Sequence, residues 1–114
     1  MLLACLRHPP TAQRNPSLSQ LSPTQWEQLV TLADEHQVTA LLYHRLKADG
    51  GDALAPTGVW QILQKTYYKN VFRNIKLYQE LQEITTAFHE QKIPILILKG
   101  AHLAATVYDS IALR

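Results

Sequence analysis

The sequence predicts a mainly α-helical fold with one β-strand: a helical module followed by the first strand and helix of an α/β core that is left incomplete. Three observations carry this. Helix-start signals and apolar residues at helical spacing dominate residues 22–91. At Ile93 the period changes, and Ile93-Pro94-Ile95-Leu96-Ile97-Leu98 is aliphatic on both alternating faces, the pattern of a central strand covered on both sides. No other stretch reads as a partner strand, so the backbone hydrogen bonds of this one find no acceptor or donor within the sequence. The sheet is then either completed by another chain or continues past Arg114, and interruption of the domain is the preferred reading.

Residues 1–21 read as an N-terminal segment and linker. Met1 to His8 suits a short helix, and Pro9, Pro10, Asn15 and Pro16 break regular structure after it. Residues 22–92 form the helical module. Ser22-Pro23-Thr24-Gln25 places a hydroxyl at the N-cap, proline at the first helical position and glutamine at the third, which predicts a helix from about Pro23 to Gln37. Trp26, Leu29, Val30 and Ala33 are its buried stripe. Val38 to Lys47, with Leu41, Leu42 and Leu46, predicts a second short helix, although Val-Thr-Ala-Leu-Leu-Tyr also has strand character. Asp49-Gly50-Gly51-Asp52 is a loop. A long helix follows over about 58–91, with Trp60, Leu63, Tyr67, Val71, Tyr78, Leu81, Ile84 and Phe88 on one side. Polar Gln64, Asn74 and Thr85 interrupt that side and argue against a coiled coil. Residues 93–114 hold the strand, a Lys99-Gly100 turn and a short helix over Ala101 to Tyr108.

Composition bounds the function. With 114 residues the chain has the size of one domain, and 46% hydrophobic residues exclude disorder along its whole length. A net charge of +2 is too mild to advertise a nucleic-acid surface, and nucleic acid is not an expected partner. The single cysteine, Cys5, forms no internal disulfide and reads as a small buried thiol, which suits a reducing cytoplasm. Met1 to Leu6 lacks the features of a signal peptide and Ile93 to Leu98 is too short to span a bilayer, so no membrane is expected.

The chemistry-bearing constellations are few. Lys99-Gly100 sits where a helix begins at the end of a buried strand, a place where free amides, a close backbone and a lysine charge attract phosphate. A plain tight turn with a solvated lysine fits the same residues. His102, in the first helical turn, would point toward that site, or is an ordinary surface or core histidine. Lys65, Lys69, Arg73 and Lys76 form a basic stripe, but Glu80, Glu83 and Glu90 continue it with the opposite sign, which marks a solvated face. The five histidines make no metal signature. Tyr67 and Tyr78 share the apolar stripe, leaving Tyr68 as the exposed ring.

Several blocks in order resemble the uncharacterised nucleotidyltransferase family of the DNA polymerase beta-like nucleotidyltransferase superfamily. They are the leucine-rich opening to Arg7, the Trp26 helix, Thr39-Ala40-Leu41-Leu42-Tyr43-His44-Arg45-Leu46-Lys47, then Arg73-Asn74, Leu77, Glu80-Leu81 and Ile84. Ile93-Pro94, Leu98-Lys99-Gly100, Leu103, Tyr108 and Arg114 complete them. The resemblance implies that the Lys-Gly turn is the counterpart of the superfamily's Gly-Ser turn, so that Lys99 and Gly100 hold a nucleotide's phosphates; His102, by its place in the first helical turn, and Arg114 are counted with them as candidate phosphate-binding residues. It also implies that an arginine like Arg114 precedes an Asp-x-Asp pair whose carboxylates bind two magnesium ions. That pair is absent. Lys92 departs from the family pattern, which favours a glycine there to end the long helix in a left-handed conformation.

The implied function is that of an N-terminal fragment: the full-length parent transfers a nucleoside monophosphate from a nucleoside triphosphate to an unknown acceptor with Mg2+. This chain alone, with no catalytic or metal-binding residues of its own, is inactive. The alternative is a non-catalytic interaction protein that completes its sheet by pairing with a partner protein or, through the unpaired strand, as a homodimer.

Overall fold

The structure is a computed structural model of the chain and describes residues 2, 6, 18–108 and 110–113. Its helices are α1 (Pro23–Glu35), α2 (Thr39–Ala48), α3 (Thr57–Glu90) and α4 (Gly100–Thr106), with single 3-10 turns at Leu18–Gln20, Gly51–Ala53 and Ile111–Leu113. The chain divides into two compact units, Met1–Tyr67 and Tyr68–Arg114. The short helix expected over Met1 to His8, the breaks at Pro9, Pro10, Asn15 and Pro16, and Cys5 lie outside the described residues, Leu2 and Leu6 excepted.

In the first unit the local signals act as the sequence predicts. Ser22 accepts from the Gln25 amide at 3.3 Å while the Gln25 side chain accepts from the Ser22 amide at 2.9 Å, a reciprocal capping box with Pro23 just inside it. The helix closes with Gln37 at φ 56°, the Gln37 amide donating to Asp34 and the Val38 amide to Ala33. Trp26, Leu42, Leu46 and Leu63 are at most 1% exposed, and Leu2 and Leu18 join the same core. Each buried leucine contributes about 1.5–3 kcal/mol. Tyr43 sits between Trp60 and Tyr67, its ring 4.9 Å from each. The loop after α2 presses Gly51 so close to Leu46 that a Cβ there would lie 2.7 Å from the Leu46 carbonyl oxygen.

In the second unit one expectation is overturned. Residues 93–98 form no strand, and no strand occurs among the described residues, so the fold is all-helical there. Nor is the segment buried: Leu96 is 81% and Leu98 66% exposed. A strand is a pairing of backbones, and a two-sided apolar strand also needs a layer on each face; the described residues supply neither. The homodimer expected through an unpaired strand, and the α/β core begun by it, lose their basis with it.

What the second unit does build starts from the end of α3. Lys92 adopts φ 55°, its amide bonding the His89 carbonyl and the Ile93 amide the Phe88 carbonyl. The left-handed helix end that the family pattern implies is thus formed by a lysine in place of glycine. Ala104, Ala112 and Leu113 are buried in this unit, together with the polar Asn74.

Candidate functional site

Lys99 caps the start of α4 from an unusual backbone position. At φ 56°, ψ −121° it occupies a region that costs a residue with a side chain on the order of 1–3 kcal/mol. Its carbonyl accepts from the Leu103 amide at 2.8 Å, closing the first helical turn, and its side chain makes no cap hydrogen bond and stands exposed. Helix geometry leaves the amides of Gly100, Ala101 and His102 ahead of the first intrahelical acceptor. Because α4 has only seven residues, its dipole adds little; charge at this turn comes from the Lys99 ammonium. His102 is exposed in the first turn, and its carbonyl accepts from the Thr106 hydroxyl at 2.8 Å. Lys99 thus caps α4, with Gly100 and His102 in its first turn, while Arg114 lies outside the described residues.

Beside Gly100 is a cavity of about 240 Å³. Arg73, Asn74, Leu77, Tyr78 and Leu81 of α3 form one wall, and Gly100, Ala101 and Ala104 of α4 the other. The Tyr78 hydroxyl donates to the Ala101 carbonyl at 2.6 Å. The Asn74 amide donates to Ile111 and that of Asn70 to Ala112, and Arg73 donates to the Asn70 side-chain oxygen at 2.8 Å. From the sequence Tyr78 belongs to the core and Asn74 interrupts the apolar side; in the structure Tyr78 is half-buried and Asn74 buried, each with a bond to the main chain. The spacing of four that links residues 70, 74 and 78 was the available signal.

The donors around the turn do not suit magnesium. That ion takes oxygen ligands, and the side chains here are an ammonium and an imidazole. Among the described residues no group of three or more histidines, cysteines or carboxylates is placed to hold a metal, and the sequence contains no Asp-x-Asp pair.

A family model described as "Uncharacterised nucleotidyltransferase" matches residues 22–114. The chain belongs to this family. The match runs from the capping box of α1 through the Lys99-Gly100 turn, so both units carry the family's sequence pattern. No curated protein and no solved structure matches the chain. Among the described residues no helix is long and apolar enough to cross a membrane.

Proposed function

We propose that this chain supplies the phosphate-binding turn of a nucleotidyltransferase. The observation that carries the reading is the family match over residues 22–114, which includes Lys99 and Gly100. Three features support it. Lys99 is an exposed cation, its backbone is held in a strained position of the kind that clusters at functional sites, and Gly100 lets a phosphate approach the main chain. In this reading Lys99 makes a charge-assisted hydrogen bond to a phosphate oxygen of a nucleoside triphosphate, and the amides of the turn orient the same group. His102, exposed in the first turn of α4, is a further donor in this reading.

Transfer itself needs carboxylate-held magnesium to neutralise charge on the phosphates, and no residue described here fits that role. We therefore assign nucleotide binding to this chain and the transfer of a nucleoside monophosphate to a parent whose carboxylates lie outside residues 1–114. The competing reading, an interaction protein that completes a sheet by pairing, was built on a strand that the structure does not contain.

The test uses the native gene product from its source cell, with its intact mass measured first. Binding of ATP, GTP, CTP and UTP is then followed by calorimetry with magnesium present. Lys99→Ala should weaken nucleotide binding about tenfold, the loss of one charged hydrogen bond to phosphate. Equal affinity in that variant removes Lys99 from the site, and a native product of 12.9 kDa that binds no triphosphate removes the reading.

A further inference from the structure

Asn70, Asn74 and Tyr78 stand at intervals of four on α3 and so form one row along it, with a hydrogen-bond donor at each position. Each donates to a main-chain carbonyl of the same downstream segment: Asn70 to Ala112 at 2.6 Å, Asn74 to Ile111 at 2.5 Å and Tyr78 to Ala101 at 2.6 Å. The acceptors are backbone atoms, so the row fixes the path of the chain whatever side chains it bears. The row grips both ends of the stretch from Gly100 to Leu113. At the near end Tyr78 holds the residue after Gly100. At the far end the two asparagines hold a 3-10 turn that Ser110 also braces, its hydroxyl accepting from the Ala112 amide and its carbonyl from the Leu113 amide.

Packing alone does not ask for these residue types. Asn74 is only 6% exposed, and a buried amide is costly unless it is hydrogen-bonded, which its bond to Ile111 provides. The guanidinium of Arg73 donates to the Asn70 oxygen, which turns the Asn70 NH₂ toward Ala112.

We propose that Asn70, Asn74 and Tyr78 are positioning residues that strap the main chain from Gly100 to Leu113 onto α3 and thereby fix the Lys99-Gly100 turn for a nucleotide's phosphates. The functional half rests on the nucleotidyltransferase reading above. The row touches no nucleotide itself; it acts through the turn.

The experiment takes the native gene product and the variants Tyr78→Phe, Asn70→Ala and Asn74→Ala, and measures amide hydrogen exchange together with ATP affinity. Exchange at residues 101–113 should rise about tenfold while amides of residues 40–46 in the first unit keep wild-type rates, and ATP affinity should fall about tenfold. Tyr78→Phe removes a single oxygen and stays informative if Asn74→Ala does not fold. Wild-type exchange at 101–113 in every folded variant overturns the strap. Faster exchange with undiminished ATP affinity overturns its role at the turn. If the wild-type product binds none of the four triphosphates, the nucleotidyltransferase reading fails separately, and exchange alone decides whether the three side chains hold the segment.

Discussion

In the first unit Trp26, Leu42, Leu46 and Leu63 are withdrawn from water almost completely, whereas in the second Phe72, Leu96, Leu98 and Val107 are 66–81% exposed. One helix, α3, contributes to both, and its apolar side continues through Leu77, Ile84 and Phe88, which are 52%, 54% and 39% exposed. The difference lies in what faces the helix. The first unit supplies α1 and α2, with long buried side chains; the second supplies a seven-residue helix, one 3-10 turn and an irregular segment. Periodicity states that a helix side is suited to burial, but the partner decides whether burial occurs. Where apolar cover is thin, the second unit is held by side-chain bonds to backbone carbonyls, each worth about 0.5–1.5 kcal/mol net.

The comparison is broken most strongly at the centre of the first core. Trp26→Ala should cost about 3–5 kcal/mol, measured by urea unfolding followed through helical circular dichroism. A loss under 1 kcal/mol would mean that the first core is not the main source of stability. A smaller effect is expected at Gly51, where an added methyl group meets the Leu46 carbonyl at 2.7 Å. Gly51→Ala should lower stability by about 1–3 kcal/mol, and an unchanged unfolding midpoint would show that the loop can move aside. The smallest effect belongs to the second unit: Leu96→Lys should alter stability by no more than about 0.5 kcal/mol and should raise solubility. A large loss in that variant would show Leu96 to be buried in solution.

Much of the helical framework was legible because its causes are local. Ser22, Pro23 and Gln25 carry the start of α1 within four residues, and the long stretch free of proline and glycine after Gly58 marks α3 to within a residue at either end. The Lys99-Gly100 turn was legible in the same way, as was the exposure of Tyr68 beside the half-buried Tyr67 and Tyr78. Two things were not. The aliphatic run at 93–98 has the composition of a strand, but strand formation depends on a second backbone, and no composition of six residues specifies one. Asn70 and Asn74 carry no visible sign of their partners because these are carbonyls 42 and 37 residues further on, atoms that every residue possesses.

The exposed run from Ile93 to Leu98 also bears on how copies of this chain behave at high concentration. Uncharged aliphatic hexapeptides in water template self-association between molecules, and proteins counter this by placing prolines and charges within and beside them. Pro94 withholds one amide from any such ladder, and the exposed Lys92 and Lys99 bracket the run with like charges. Lys99 thus places a charge at the end of this apolar run as well as capping α4.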